Sequence, residues 1–373
     1  MRIDLPDGRV RVDGAFDTGD TGSGISPQRL DPALAHQHPV EVAFVQAMSS
    51  GVRLVVATDA PELTLGCTPT RLALGGADPL PATFDLVVDD RRVDSVRADH
   101  GHVVAVDLDG GAELIAGGPG EVVLGGLPGE MSVVEIWLPH AAGVEIHSIR
   151  VPDGSTVAAA PADERPRWVH HGSSISHCLE SERPTETWPA TVASAAGLHL
   201  VDLGLAGQCH LDQFSARTIR DLPADRISLE LGINVVNADS MTLRTFTSAV
   251  HGFIDTVRDG HPRTPVLVVS PIHCPAVEDV PGPTVLTDSG RIEAKGTPAG
   301  ALFGRPTLTA IRAALRSAVQ ARAAAGDGRI SYLDGLELFG PDDADDLVDG
   351  LHPTPAGYLR IADRFARRPF ARG

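Results

Sequence analysis

Short apolar runs separated by turn residues fill the first part of the chain. The runs alternate with polar residues or are rich in β-branched ones, and Gly, Pro and Asp cluster between them. Many short strands with no helical period are typical of a β-sandwich or jelly roll. The pattern predicts an all-β, jelly-roll-like domain over residues 1–152, with strands that include 40–45, 52–57, 84–88, 103–106, 121–124, 132–139 and 144–149.

A different pattern follows a linker rich in Ala, Pro and Asp, which we place at residues 153–165. Strand and helix patterns then alternate through residues 166–373, which is typical of a parallel sheet covered by helices on both faces. Ligands of such sheets bind beyond the carboxyl ends of the strands. We expect strands at 168–171, 199–203, 226–231, 265–270 and 330–334, and helices at 186–196, 242–258, 308–325 and 355–365.

Composition excludes some classes of partner. The chain has 373 residues, more than one compact domain usually holds, which agrees with two domains. Its net charge of -18 repels phosphate groups, so we expect neither a nucleic acid nor a membrane as a partner. The start, Met1–Pro6, lacks the basic and apolar segments of a signal peptide, which predicts a cytoplasmic protein with reduced cysteines.

Glycines and polar residues directly follow three of the predicted strands. Ser174 ends a Gly-Ser-Ser turn after the first strand, Gly207 follows the second, and Asn234 follows the third. A fourth segment, which contains Asp349 and His352, precedes the last predicted helix. Because parallel strands present their carboxyl ends at one edge of the sheet, we expect these residues to meet there.

These residue types suit nucleophilic catalysis. Ser174 would attack an acyl carbon, His352 would take its proton and return it to the leaving alcohol, and Asp349 would orient the imidazole. The N–H groups of Ser174 and Gly207 and the amide of Asn234 would form an oxyanion hole. The pattern predicts a serine esterase that needs no metal or cofactor.

The four segments, in this order, resemble the blocks of the SGNH (GDSL-type) esterase and acylhydrolase superfamily. The Gly-Ser-Ser-Ile-Ser form at 172–176 and the Leu-Gly-Ile-Asn form at 231–234 resemble its actinobacterial two-domain branch. The resemblance covers roughly residues 166–370 and implies a flavodoxin-like three-layer α/β fold. It also implies a substrate that is a small acyl ester, such as an acetyl group on a sugar or a secondary metabolite.

Two acidic residues of the usual blocks are replaced. Ser173 stands where the first block usually has Asp, and Val235 follows Asn234 where the third block usually has Asp. We therefore expect support for the nucleophile turn to come from elsewhere in the fold, and Asp349 is the one carboxylate that the sequence assigns to catalysis. Ser173 is an alternative nucleophile, but the Gly-x-Ser alignment favours Ser174.

Three adjacent His/Cys pairs also follow predicted strands: His177–Cys178, Cys209–His210 and His273–Cys274. Imidazole and thiolate are zinc ligands, so a metal-dependent hydrolase is an alternative. Neighbouring residues point apart, however, and the spacings match no structural zinc pattern. We therefore expect His177, Cys178 and His210 to line or support the substrate pocket. The sequence does not decide whether Cys178 and Cys209 form a disulfide.

Residues 276–304 have little periodicity, and we weigh a solvated loop against a flap over the site. Trp137 is expected in the core or at a domain interface. The sequence leaves three roles open for the first domain: it binds carbohydrate, completes the substrate pocket or forms a homo-oligomer. Two further alternatives are a non-catalytic binding protein on this fold and an acyltransferase with the same triad.

Overall fold

The computed structural model describes residues 1–107, 111–368 and 370, and it divides into two compact units. The first unit comprises Met1–Glu164 and Glu182–Glu186, and the second comprises Arg165–Ser181 and Thr187–Gly373. Within the described ranges, no helix combines the length and the apolar character that a bilayer crossing requires.

The first unit is built almost entirely from strands. Its elements are β1 (Arg2–Asp4), β2 (Arg11–Asp13), β3 (Asp17–Asp20), β4 (Ile25–Gln28), α1 (Val40–Ala47), β5 (Arg53–Thr58), β6 (Leu63–Leu74), β7 (Ala82–Val88), β8 (Arg91–Ala98), β9 (His102–Val106), β10 (Ala112–Ile115), β11 (Gly120–Leu124), β12 (Ser132–Trp137), β13 (Ala142–Arg150) and β14 (Val157–Ala158).

These strands form two sheets that share one apolar core. The larger sheet has the order β10-β9-β6-β13-β4-β3, and the smaller has the order β14-β5-β12-β7-β8. Alternate residues point inward from each, such as Leu63 and Leu65 in one sheet and Val134 and Ile136 in the other. The predicted β-sandwich is confirmed. Trp137 is buried in this unit, under the guanidinium of Arg53.

The predicted strand at 40–45 is wrong, because these residues form helix α1. Pro39 precedes its first turn, and Val42, Val45 and Gln46 are buried at helical spacing on one face. The run of apolar and β-branched residues resembled a strand. Packing of this one face against the sheet, through contacts with β4 and β13, overrides that local preference.

The second unit alternates strands and helices, as predicted. Its elements are β15 (Arg167–Gly172), α2 (Ser174–His177), α3 (Trp188–Ala196), β16 (His199–Gly204), α4 (Gln213–Asp221), β17 (Arg226–Glu230), α5 (Ile233–Asn237), α6 (Leu243–Gly260), β18 (Val266–Val269), β19 (Thr284–Leu286), β20 (Ile292–Ala294), α7 (Pro298–Leu302), α8 (Leu308–Ala324), β21 (Ile330–Leu333) and α9 (Pro355–Ala366).

The main sheet of this unit is wholly parallel, with the strand order β16-β15-β17-β18-β21. This 2-1-3-4-5 order is that of flavodoxin-like folds, in which the direction of winding reverses beside the first strand. The strands β15, β16 and β17 therefore end side by side at the edge where such folds bind ligands. The segments after them carry Ser174, Gly207 and Asn234.

Candidate active site

Ser174 lies at the tight turn between β15 and α2. Ser173 caps the helix through its hydroxyl, which accepts a hydrogen bond from the Ile175 N–H, and Ser174 is the first helical residue. A Cβ at position 172 would lie 2.1 Å from the Ser176 Oγ, so only glycine fits where the strand meets the turn. The sequence thus places a serine hydroxyl at the strand end on a rigid turn.

The structure brings Ser174, His352 and Asp349 together in a single chain of hydrogen bonds. His352 Nε2 lies 2.9 Å from the Ser174 Oγ, and its Nδ1 lies 2.8 Å from the Asp349 Oδ2. Asp349 Oδ1 accepts bonds from the backbone N–H groups of Leu351 and His352, at 2.9 and 2.8 Å. One carboxylate oxygen therefore shapes the loop while the other orients the imidazole.

The charges at this loop reinforce its geometry. Burial raises the pKa of Asp349, but the hydrogen bond and charge of His352 and two backbone N–H donors outweigh burial and bring that pKa down to about 2. Burial lowers the pKa of His352. The hydrogen bond to Asp349 and the charges of Glu180 and Asp349 outweigh burial, so the pKa of His352 lies above its usual value. The loop therefore favours a carboxylate beside an imidazole that gains a proton readily.

A second carboxylate, which the sequence prediction missed, lies beside the same imidazole. Glu180 Oε1 is 3.7 Å from His352 Nδ1, and its Oε2 accepts a 2.7 Å hydrogen bond from the Tyr358 hydroxyl. Asp349 is therefore not the only carboxylate at the histidine. Glu180 follows a left-handed turn at Cys178, which sequence spacing alone does not reveal.

The three predicted oxyanion donors lie on neighbouring strand ends. Asn234 is buried, and its Oδ1 accepts a 3.0 Å bond from the Cys209 N–H, which ties it to the loop after β16. In the ranges that the structure covers, the Asn234 Nδ2 and the N–H groups of Ser174 and Gly207 have no hydrogen-bond acceptor. These groups are thus available as donors to an oxyanion.

Glu230 supplies the support that the missing acid of the first block left open. It is 3% exposed at the end of β17, and its Oε2 accepts hydrogen bonds from the Ser173 N–H at 2.7 Å and the Ser173 hydroxyl at 2.6 Å. Burial raises the pKa of Glu230, and the bonds from Ser173 counteract part of that rise. A lone Glu in the apolar run of β17 was the available sequence signal.

The polar network continues beneath the turn through His170. Its Nε2 lies 2.7 Å from the Ser176 Oγ and its Nδ1 2.7 Å from the Ser228 Oγ. Burial, with a smaller effect of His171, lowers the pKa of His170 to about 3, so this imidazole is neutral at ordinary pH. The turn that carries Ser174 thus rests on a buried hydrogen-bonded layer rather than on apolar packing alone.

Two of the three predicted pocket residues contact the Gly207 loop, and the third does not. His177 Nδ1 accepts a 3.3 Å bond from the Ala206 N–H, and His210 Nε2 lies 3.1 Å from the Gly207 carbonyl oxygen. Cys178 is fully buried, and its thiol points to the Ile175 and Ser176 carbonyl oxygens. His177 is fully buried as well, so neither of these two lines a surface that a substrate reaches, whereas His210 is partly exposed. A supporting role for His177 and Cys178 stays a prediction.

The His/Cys pairs do not converge. All four cysteines are free and buried, so Cys178 and Cys209 form no disulfide. Cys274 contacts the Gly350 carbonyl oxygen, while His273 lies 3.1 Å from the Glu278 carboxylate. Across the residues described above, these pairs do not gather three ligand atoms around one point, so the alternative of a His/Cys metal centre has no geometric support.

Residues 276–304 are not a featureless loop. They contain the hairpin β19–β20 and the short helix α7, and the Ile292 N–H donates a 2.8 Å hydrogen bond to the Asp349 carbonyl oxygen. The preceding turn is held by Arg312, which binds Glu278 at 2.7 and 2.8 Å and the carbonyl oxygens of Pro271 and Ile272. The hairpin therefore contacts the loop that carries His352.

The parallel sheet, its strand order and the four segments at its edge define an SGNH hydrolase. The chain belongs to the GDSL-like lipase/acylhydrolase family, whose model matches residues 171–360. It is accordingly a carboxylic ester hydrolase by family, as predicted. The finer assignment to an actinobacterial branch stays a prediction. No curated protein matched the sequence.

Several solved structures are similar over nearly the whole chain. Salicylyl-acyltransferase SsfX3 from a tetracycline biosynthetic pathway is 26% identical, with a TM-score of 0.82 and coverage of 98% of this chain and 95% of that one. A GDSL-like lipase from Bacteroides ovatus is 18% identical, with a TM-score of 0.68 and coverage of 98% and 96%. A family two carbohydrate esterase from Clostridium thermocellum is 14% identical, with a TM-score of 0.63 and coverage of 96% of each chain.

Proposed function

We propose that the chain hydrolyses short-chain acyl esters through a covalent acyl-enzyme on Ser174. The observation that carries this proposal is the continuous chain of hydrogen bonds from the Ser174 hydroxyl through His352 to Asp349. A hydroxyl is a weak nucleophile at neutral pH, and an adjacent oriented base is the usual means of activating it.

The geometry supports one order of proton movements. As the Ser174 Oγ attacks the acyl carbon, His352 Nε2 takes its proton, and the imidazolium that results is stabilised by Asp349 at 2.8 Å. Nε2 then gives the proton to the oxygen of the departing alcohol. In the second half, Nε2 takes a proton from the water that attacks the acyl carbon, and it gives this proton to the Ser174 Oγ as the bond between that oxygen and the acyl carbon breaks and the acid leaves.

The developing negative charge on the carbonyl oxygen needs fixed donors. We assign this role to the N–H groups of Ser174 and Gly207 and to the Asn234 amide, whose orientation is set by the bond from Cys209 to its oxygen. A site fixed in this way loses little energy to reorganisation when the charge forms.

Acyl transfer is a second candidate, and the similarity to the salicylyl-acyltransferase SsfX3 favours it. The two reactions share the acyl-enzyme and differ only in whether water or an alcohol attacks it. For the substrate, we propose a small molecule that carries an acetyl or other short acyl group, such as a sugar or a secondary metabolite. The carbohydrate esterases among the similar structures support the sugar alternative.

The decisive experiment compares the hydrolysis of p-nitrophenyl acetate by the wild type and by Ser174→Ala. We expect turnover in the wild type and a loss of at least about 10⁴-fold in the variant. Mass spectrometry of the acid-quenched enzyme should show an acetyl group on the peptide that contains Ser174. If the wild type turns over none of a series of acyl esters, the esterase proposal is wrong and the alternative of a non-catalytic binding protein on this fold is favoured.

Two additions separate the remaining alternatives. Ser173→Ala keeps most of the turnover if Ser174 is the nucleophile, because the Ser173 backbone N–H still binds Glu230. Loss of turnover in Ser173→Ala with normal turnover in Ser174→Ala would reverse the assignment. An added alcohol acceptor that yields a new ester faster than free acid would identify a transferase. Activity that is abolished by a chelator would indicate a metal-dependent hydrolase.

A further inference from the structure

The imidazole of His352 lies between two carboxylates, of which the proposed mechanism uses only one. Asp349 Oδ2 is 2.8 Å from His352 Nδ1, and Glu180 Oε1 is 3.7 Å from the same nitrogen. The shorter distance is a hydrogen bond, whereas the longer one is a contact between charges. Both carboxylates therefore face the ring nitrogen that stays protonated while Nε2 serves Ser174.

Glu180 is held in this place by a buried phenol. Tyr358 lies on α9, its side chain is fully buried, and its hydroxyl donates to the Glu180 Oε2 at 2.7 Å. Burial raises the pKa of Tyr358 well above its usual value, and the negative charge of Glu180 adds to that rise. The phenol thus stays protonated and acts as a fixed donor, which leaves the Glu180 Oε1 toward His352.

The turn that carries Glu180 is also defined. Cys178 ends α2 in the left-handed conformation with a φ of 59°, and the Ser181 N–H then donates to the Cys178 carbonyl oxygen at 2.9 Å. This turn brings a residue six positions after Ser174 back to the histidine. The nucleophile and Glu180 thus approach the same imidazole from one short segment.

We propose that Glu180 is a positioning residue for the reaction of Ser174, acting through His352 as a second carboxylate that stabilises the imidazolium and can hold the ring when Asp349 is absent. This inference rests on the proposed serine mechanism. Glu180 contacts no reacting atom in this assignment. Its effect is on the charge and orientation of the base.

Among the described charged and titratable groups near this histidine, Asp349 shares that role and the others do not. Asp349 lies on the loop of the histidine itself, and Tyr358 lies on α9. Cys274 follows β18, and its thiol contacts the Gly350 carbonyl oxygen. Arg291 lies in the hairpin, and its guanidinium lies beside Gly350. Among these, Asp349 alone is another carboxylate, so the two acids can be compared directly.

The test is a double-mutant cycle on p-nitrophenyl acetate with Glu180→Gln, Asp349→Asn and the double variant, each measured as kcat/KM against pH. Gln keeps an oxygen that can accept the Tyr358 bond, so the fold should be preserved. In the wild-type background we expect Glu180→Gln to lower the plateau about 3- to 10-fold. Because Glu180 raises the pKa of His352, the acid limb of the kcat/KM profile of Glu180→Gln should also move to lower pH.

In the Asp349→Asn background, Glu180→Gln should cost more, about 10- to 100-fold, because the last carboxylate is then removed. Equal fold-changes in the two backgrounds together with an unmoved acid limb would overturn the proposal. Glu182→Gln is the matched control, since it removes the same charge from an exposed side chain two residues away. An acid limb that moves equally in Glu182→Gln would also overturn it, because the effect would then be one of net charge.

Tyr358→Phe tests how Glu180 is held. It removes the donor and keeps the carboxylate, so we expect a plateau and an acid limb between those of the wild type and Glu180→Gln. Values equal to those of Glu180→Gln or more severe would contradict a mere holding role for the phenol. Failure of the proposed serine mechanism is distinguishable, because Ser174→Ala would then keep its turnover whatever Glu180 does.

Discussion

Replacing Glu230 by Ala tests whether a buried carboxylate fixes the turn that carries Ser174. The change removes the acceptor of the Ser173 N–H at 2.7 Å and of the Ser173 hydroxyl at 2.6 Å. The Ser173 hydroxyl keeps the bond that it accepts from the Ile175 N–H, but its own proton and the Ser173 N–H both lose their acceptor in a buried place. An unsatisfied buried donor costs about 1–3 kcal/mol.

Two further effects of the substitution act on stability in opposite directions. The loss of the side chain leaves a small cavity, which destabilises the fold. Removal of a carboxylate whose pKa burial has raised relieves a desolvation cost and therefore stabilises it. We expect Glu230→Ala to lower the free energy of unfolding by about 2–4 kcal/mol. Glu230→Gln, which keeps an acceptor of the same shape, should lower it by less than about 1.5 kcal/mol.

Turnover should respond more strongly than stability. A shift of the Ser174 hydroxyl by about 1 Å relative to His352 can cost about 10²-fold in rate. We therefore expect a fall of this size in kcat for Glu230→Ala and a smaller one for Glu230→Gln, measured on p-nitrophenyl acetate well below the unfolding midpoint in urea. Exposed Glu337→Ala serves as the control. An unchanged midpoint and an unchanged kcat in Glu230→Ala would refute the idea that Glu230 supports the turn.

Two other predictions follow from the geometry. Arg312→Ala should destabilise the fold by about 3–5 kcal/mol, because it removes the cation paired with Glu278 and the buried donor to the Pro271 and Ile272 carbonyl oxygens. Arg316→Ala at a half-exposed pair should cost less than about 1 kcal/mol, and equal urea midpoints for the two variants would contradict this. The base must be neutral and the pKa of His352 is raised, so kcat/KM should increase with pH through a limb that lies above 6.5; a limb below that value would show that the charges beside the ring do not dominate.

The sequence was sufficient for the parallel sheet and for the residues at its edge, since the strands and their ends follow from local patterns. The flavodoxin-like arrangement of the strands was implied by the resemblance to the SGNH superfamily. The bond from His352 to Ser174 joins residues 178 positions apart, yet the topology alone predicted that they meet. Helix α3 ends at Ala196, the predicted end, and Gly197 caps it in the left-handed conformation that glycine adopts readily.

The residues that were missed depend on contacts between separate elements. Glu230 gains its meaning only from the neighbouring strand β15, whose end carries Ser173, and Glu180 only from the turn at Cys178 and from Tyr358 on α9. Neither contact produces a recognisable motif or residue spacing in the sequence. The helix α1 was mistaken for a strand for a similar reason, because the face it buries is decided by the sheet beside it.

The buried thiols have a practical consequence for measuring local motion. Cys178 ends α2, the Cys209 N–H binds Asn234, and the Cys274 thiol contacts the Gly350 carbonyl oxygen, so each belongs to a different segment around the site. Burial raises the pKa of Cys274 to about 12 and the pKa values of the other two well above their usual range. Alkylation needs an exposed thiolate, so each segment must open before its cysteine reacts. The alkylation rates of these three cysteines would therefore rank the three segments around the site by how often each one unfolds.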